Sequence, residues 1–548
     1  MSERSKSKKE VSRRDFLKGA SAAAAGVAVA GLTGSVVAAE AGPVSDAKPS
    51  WMPEKWDYET EILVVGHGAG GTGSVLCATI EELGEVMVID AGPEGEDGGT
   101  FSVCGQTLFT PTSVEGAVKY QRAMNGIHVV PDEYLQGWAE EMVKNKDWVI
   151  DTLGIDELEP QVGGAEFPLL EGADSPSNHS IGALGNQKLW LRMKEVEDKY
   201  ADKYTRLCDM RARRFVFHPE TKEIYGLMAE TDRGTKEVYI KAKKGIVMCL
   251  GGFTYNKEMM ANYFDPGMLP YGLGTPYARG DGHVMCQEIG AAFWHMNNVA
   301  SVRYSVACLG PDRPLSYGTL GGRSYIFVGP DARRFEIEEW HNSSKHGKIL
   351  RGGAWTTLHT YNGGAAIFDQ ETFDRPNAII TADNYRSWSG THMSAELPHS
   401  NDEALTMGII VKDDTLEGLA AKLDLDPEIL KDTVEHYNEM VANGEDTEFH
   451  RGRAIPDGLG AFELTPIAGP PWYGMKMTPS IINTQGGPVR NGKAQIMDTY
   501  GNPIPRLYSA GEFGCMYSYL YNGGGNIGDG FAMGRIAVRN IAALEPWE

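Results

Sequence analysis

Gly66, Gly68 and Gly71 stand at the spacing G-x-G-x-x-G inside Thr60–Asp90, TEILVVGHGAGGTGSVLCATIEELGEVMVID. The pattern suits a pyrophosphate: the first glycine permits a tight turn, the second lets backbone approach phosphate, and the third lets a helix pack on the preceding strand. A helix opening there offers unpaired N–H groups and the positive end of its dipole. Asp90 follows at about the 20-residue distance where an acid meets a ribose hydroxyl. To position these groups, Thr60–Val65 must be a buried strand, the stretch to about Leu83 a helix, and Glu85–Ile89 a second strand ending on Asp90. A dinucleotide site explains this frame better than a Gly-rich βα turn that binds nothing.

The rest of the chain supplies loops and elements around that unit. Gly92–Gly105 is rich in glycine, which lets backbone lie flat against a ligand. Val114–Leu153 reads as helical with a break around Gly126–Pro131, and Tyr204–Tyr239 as a small β meander. Lys244–Phe253 reads as a buried strand ending in Gly-Gly. Gly280–His283 opens a helix, Leu416–Val441 is helical with Asp414 as its candidate cap, and Gly523–Glu545 is a Gly-rich turn followed by a long helix.

At 548 residues the chain calls for more than one domain. Its net charge of −23 argues against nucleic acid as a partner. The seven cysteines, Cys77, Cys104, Cys208, Cys249, Cys286, Cys308 and Cys515, show no C-x-x-C or C-x-x-C-H spacing, so no metal site and no haem attachment is expected. Cys104 and Cys515 stand in Gly-rich loops. Residues 1–41 form a leader: Ser12-Arg13-Arg14-Asp15-Phe16-Leu17-Lys18 is a twin-arginine motif, Gly19–Ala38 is weakly apolar, and Ala39-Glu40-Ala41 is a cleavage candidate. A membrane anchor is the alternative, which the many Gly and Ala residues disfavour. Residues 42–56 read as a linker.

Taken in order, VVGHGAGG (64–71), VIDAG (88–92), GIVMCLGGF (245–253), RGDGH (279–283), RRFEIE (333–338), INTQGGP (482–488), PIPRLYSAGE (503–512) and YNGGGNIGDGFAMGRIA (521–537) resemble the fumarate reductase/succinate dehydrogenase flavoprotein family, with its soluble fumarate reductase, urocanate reductase and 3-ketosteroid dehydrogenase relatives. The resemblance covers about residues 57–548. It implies an α/β fold, a Rossmann-like FAD-binding domain with an inserted α+β capping domain. The FAD-binding parts would be 57–253 and 476–548, and the cap 254–475. FAD would be held by Gly66, Gly68, Ala69, Gly70 and Gly71; by Asp90 and Ala91; by Gly98, Gly99, Thr100 and Gly105; by Gly251, Gly252 and Asp281; and by Glu512, Gly524, Asn526 and Ile527. Covalent relatives carry a His in the loop after the second strand. Gly98–Gly105 has none, so the FAD is expected to be non-covalent.

The chemistry so implied is hydride transfer between flavin N5 and an activated C=C bond. In fumarate reductases an Arg gives the proton, while a His and a second Arg clamp carboxylate. Here Asn483 and Asn522 stand at both clamp positions, which argues against a dicarboxylate substrate. Tyr521 and Gly525 resemble the Tyr-x-x-x-Gly of 3-ketosteroid dehydrogenases, where a Tyr hydroxyl and a Gly N–H bind a ketone oxygen. Tyr519 is a further catalytic candidate; ordinary packing is the alternative for all these tyrosines. For the proton donor, counting places Asn342 at the family's Arg, and His346 and Arg351 are the nearby candidates. The expectation is an exported FAD-dependent oxidoreductase that reduces an uncharged or aromatic enone-like small molecule. Its partners would be the twin-arginine translocase and a separate electron donor, a membrane or exported cytochrome or flavoprotein. A ketosteroid-type dehydrogenase, and a non-catalytic flavin-binding protein, are the alternatives.

Overall fold

The computed structural model describes residues 49–547 apart from 162–163, 183–186, 265–270, 301–302, 307–315, 318–323, 339–343, 352, 359–362, 376–397 and 453–462; for 303–306, 316–317, 344 and 351 it describes the backbone only. The leader therefore lies outside the described residues. Residues 51–548 make one compact unit.

The apolar run ILVV makes β1 (Tyr58–Val65) a strand buried on both faces, as parallel-sheet strands are. It leads into α1 (Ala69–Ile80) and β2 (Val86–Ile89). After α2 (Val114–Asn125), α3 (Asp132–Met142) and α4 (Lys188–Asp198) come β3 (Thr205–Leu207), β4 (Arg211–Phe217), β5 (Ile224–Thr231) and β6 (Lys236–Met248). Near the C-terminus β15 (Gln495–Met497), β16 (Pro503–Ser509) and α8 (Gly525–Ala542) complete this layer. The sheet order is β15-β16-β6-β1-β2-β3, with β4 and β5 attached beside β6. Val64 pairs with Val88 on one side and Val247 on the other, and Val247 pairs onward with Tyr508, all in parallel. The first and last parts of the chain are thus stitched into one sheet.

Between them, α5 (Asp281–Glu288) leads to a mostly antiparallel second sheet: β7 (Arg303–Val306), β8 (Tyr325–Val328), β12 (Gly364–Phe368), β13 (Ile410–Asp413) and β14 (Trp472–Ile481), with β14 at its centre. A three-stranded sheet of β9 (Ser344–Lys345), β10 (Lys348–Arg351) and β11 (Ala354–Thr357) stands apart. The stretch expected as one helix over 416–441 is two: α6 (Leu416–Leu423), capped by Thr415, and α7 (Pro427–Ala442), capped by Asp426. Asp424 adopts φ +58° and Pro427 opens α7, so the chain turns between them and Asp414 caps nothing.

Glycines let α1 and α8 touch. A Cβ on Gly73 would lie 2.8 Å from the Phe531 Cα, and one on Gly530 2.8 Å from the Gly70 nitrogen. The contact brings the N-termini of both helices to the same cavity. It is fixed from behind by Arg490, whose buried guanidinium pairs with Asp529 and donates to the Gly511 carbonyl at 3.1 Å. The motif RRFEIE does structural work: Arg334 donates to Glu338 and Asp446, each at 2.9 Å, in a buried ion cluster that Arg451 joins.

Candidate cofactor and active site

A cavity of about 470 Å³ opens at the carboxyl ends of β1, β2, β6 and β16, the edge where ligands of open parallel sheets sit. Gly66, Gly68, Ala69 and Gly70 line one end with Asp90 and Ala91. Gly66 holds φ +95°, and its Cβ would lie 2.4 Å from the Cys249 carbonyl oxygen. Gly71 is set behind the wall, where a Cβ would meet the Gly66 oxygen at 2.1 Å. The α1 N-cap, Gly68, has no side-chain cap, so its amides face the cavity unclaimed by side chains. Asp90 accepts N–H from His67 at 2.7 Å and from Gly92 at 2.8 Å; burial pushes its carboxyl up, against those two bonds. Gly99, Thr100, Gly105 and Cys104 add a wall from the Gly-rich loop. Gly98, in the left-handed region, backs onto Trp190 instead.

Towards the other end, Gly251 and Glu512 line the cavity. Glu512 accepts the Thr484 N–H at 3.0 Å and the Asn483 amide at 2.5 Å. Burial outweighs those bonds and raises its carboxyl to about 8. Gly252 does not line the cavity; its missing side chain makes room for Glu512 and Thr484, each of which a Cβ would approach to 2.2 Å. Gly524 is the uncapped N-cap of α8, and Asn526 and Ile527 follow it into the cavity wall. Both side-chain polar atoms of Asn526 are buried with no hydrogen-bond partner among the described residues.

The far wall is made by Tyr521, Glu166, Lys345 and His346. The Tyr521 oxygen accepts the Asn526 N–H at 3.0 Å. Its ring meets the His346 ring edge-on at 5.1 Å and the Tyr517 ring at 5.0 Å. Burial drives the Tyr521 phenol well above its ordinary value, so it stays protonated. Glu166 lies 2.8 Å from His346 Nε2 and 3.1 Å from Lys345 Nζ, and accepts the Gly523 N–H at 2.8 Å. Burial alone would protonate Glu166, but Lys345 and His346 hold it well below the carboxylate range. The tight turn that presents Lys345 and His346 between β9 and β10 needs φ +50° at His346.

Residues 61–527 match the FAD binding domain family, most of the chain. The chain belongs to the FAD-binding flavoproteins. Residues 10–30 match the twin-arginine translocation signal, so this flavoprotein is exported by that route. It is 27% identical to a probable fumarate reductase of Shewanella frigidimarina over 91% of this chain and 80% of the relative. It is 26% identical to the digoxin reductase of Eggerthella lenta over 98% of each. The 3-ketosteroid Δ1-dehydrogenase structure from Sterolibacterium denitrificans shares its fold, at a TM-score of 0.66, 19% identity, 88% of this chain and 99% of that one. The flavoprotein is an FAD-dependent oxidoreductase acting on CH–CH or C=C bonds, of the fumarate reductase family.

The residues present fit FAD. A Cβ on Gly68 would meet only the Gly98 oxygen at 3.8 Å, and one on Gly251 only Glu512 at 4.0 Å, so backbone at both points is open to a ligand. The orphaned Asn526 amide has donors and an acceptor to offer. Besides Gly71, Gly98 and Gly252, three further expected site residues do not line the cavity. Asp281 is not in this cavity: Arg211 holds it bidentately at 2.7 and 2.8 Å, with Arg213 at 3.1 Å, in a separate pocket. Gly525 spends its N–H on the Asn522 carbonyl at 3.0 Å and leaves room for the Tyr517 ring, so the Tyr521 partner is the Asn526 N–H. The Tyr519 hydroxyl donates to the Trp355 carbonyl at 2.5 Å, and the residue does not line the cavity. Arg351 pairs its backbone with Ala354 at the end of β10; its side chain, like all of Asn342, lies outside the described residues. Of the two loop cysteines, Cys104 lines the cavity and Cys515 does not. Lys345 stands beside His346 on the same turn. Glu166 was missed, because nothing near it in sequence ties it to residues 180 positions away.

Proposed function

We propose that this flavoprotein reduces a C=C bond conjugated to a carbonyl in an uncharged organic substrate. The observation that carries the reading is Asn522. It is buried, and its side chain is spent on the protein: its oxygen accepts from Tyr120 OH at 2.9 Å and Glu166 N at 2.8 Å, and its nitrogen donates to the Gly164 and Gly523 carbonyls, each at 3.3 Å. At this clamp position no group is left for a substrate carboxylate. Among the described residues lining the cavity there is no arginine, and Glu166 pairs with both Lys345 and His346, offsetting one of their charges.

Bound FAD supplies the hydride. Tyr521 polarises the substrate carbonyl: its oxygen already accepts an N–H, so its own proton is directed outward, and the α8 N-terminus strengthens it as a donor. His346, held by Glu166, delivers the proton to the neighbouring carbon. Residues 254–475 serve as the cap that brings Lys345 and His346 over the cavity, between FAD-binding parts 57–253 and 476–548. FAD is non-covalent, and a separate electron donor reloads it. Digoxin reductase, matched over 98% of both chains, supports reduction of a neutral substrate. The opposite direction is favoured by the 28% identity to the 3-oxosteroid 1-dehydrogenase of Mycobacterium tuberculosis, over 55% of this chain and 53% of the relative; Tyr521 could serve either direction.

Tyr521→Phe tests the assignment. With an uncharged cyclic enone as oxidant, its turnover should fall about 10²–10³-fold while FAD affinity holds. Turnover within twofold of wild type would remove Tyr521 from the chemistry.

A further inference from the structure

His67 occupies the first variable position of the glycine turn, G-H-G-A-G-G, and its ring is 2% exposed. Its Nε2 lies 3.0 Å from Glu197 Oε1 on α4, and its Nδ1 3.5 Å from Asp97 Oδ2 in the loop after β2. Its backbone N–H is the one that Asp90 accepts. Asp90, Asp97 and Glu197 are all buried. Three carboxylates are therefore gathered around the turn that must receive a doubly negative pyrophosphate, in a medium where like charges repel far more strongly than in water. Arg206, 2.8 Å from Asp97, and Lys194, 3.8 Å from it, lie on the outer side of the cluster and are about one-third exposed.

We propose that His67 is the counter-ion of this acidic ring and a positioning residue for FAD: its charge offsets Asp90, Asp97 and Glu197 behind the phosphate turn, and its two ring contacts tie the loop of Asp97 and helix α4 to that turn. The charge state agrees. Burial alone would strip the ring of its proton, but Glu197 first and then Asp97 outweigh it, with Asp90 adding to them, and raise its pKa to about 10. The same contacts, with Lys194 and Arg206, keep Asp97 well below the carboxylate range against its burial. Tyr204, near Glu197, is pushed above its ordinary value by burial and is neutral. His67 thus does from behind the turn what a basic side chain would do from in front of it, and leaves the glycine backbone clear for phosphate.

The test is FAD dissociation from the loaded full-length protein at pH 7.5, followed by recovery of flavin fluorescence, for wild type, His67→Gln, Glu197→Gln and the double variant. His67→Gln should bind FAD about tenfold more weakly or worse. Adding Glu197→Gln should restore most of that loss, because the defect is uncompensated negative charge; a merely structural role for the cluster would make the double variant worse. Unchanged FAD affinity in His67→Gln, or no recovery in the double variant, overturns the proposal. If His67→Gln does not fold, Glu197→Gln decides: it removes a carboxylate at constant shape, so FAD binding at least as tight as wild type is expected, and weaker binding contradicts the counter-ion role.

Discussion

Glu512 shows how a single buried group couples this site to pH. Burial raises its pKa from 4.5 to about 8, so at pH 7 it is mostly a neutral acid. A carboxyl whose folded pKa is raised contributes its stability fully below the unfolded value and loses it as pH climbs through the folded one. For Glu512 the loss runs from about 4.5 to 8. Glu512→Gln keeps the shape without the titration. Its melting temperature, compared with wild type in FAD-free protein, should gain on wild type steadily across that window; a constant difference would contradict the neutral-acid assignment. His67 has the same sign at higher pH: its contribution is full below about 6.5 and lost as pH rises to about 10. Gly66, Gly68, Asp90, Glu512, Tyr521 and Asn526, each picked from a local motif, all line the one cavity. Asp281 instead pairs with Arg211 and Arg213, from a strand about 70 residues earlier that no local motif ties to it.

At the scale of elements, the site depends on glycines that make room for neighbours rather than for ligand. Gly252 is one such case, with a Glu512 oxygen and the Thr484 hydroxyl each 2.2 Å from the position of a Cβ. Gly252→Ala must displace both, and overpacking of this kind costs about 1–3 kcal/mol; thermal unfolding should show the loss, and FAD retention should fall with it. An unchanged melting point and full FAD content would mean that the β6 end is looser than described. The ion cluster under β8 and β12 makes a second prediction. Arg334→Met removes one cation from buried Glu338 and Asp446, and orphaned buried charges cost roughly 3–5 kcal/mol, so chemical denaturation should find a strongly destabilised protein. The sequence carried the βα unit and the last helix clearly, but blurred α6 into α7. The apolar spacing continues across the turn at Asp424, and only Pro427 marks the new start.

The chain joins its first and last parts through β16 beside β6, then spends the residues between them on a second sheet, helices that include α5, α6 and α7, and the three-stranded sheet β9–β11. That long excursion puts Lys345 and His346 opposite Glu166 and Tyr521. No periodicity within the excursion could show it, because the pairing is set by tertiary packing across 180 residues. Arg13→Lys with Arg14→Lys should retain the loaded flavoprotein inside the cell, as fractionation with FAD absorbance would reveal. Whether a neutral conjugated substrate replaces a dicarboxylate here is decided by flavin reoxidation without oxygen. The FAD-loaded protein is reduced with reduced viologen, then mixed separately with a 3-keto-4-ene steroid and with fumarate while flavin absorbance is followed. Reoxidation by the steroid and none by fumarate is the expected result; rapid reoxidation by fumarate would contradict it and show that residues other than Asn483 and Asn522 clamp the dicarboxylate.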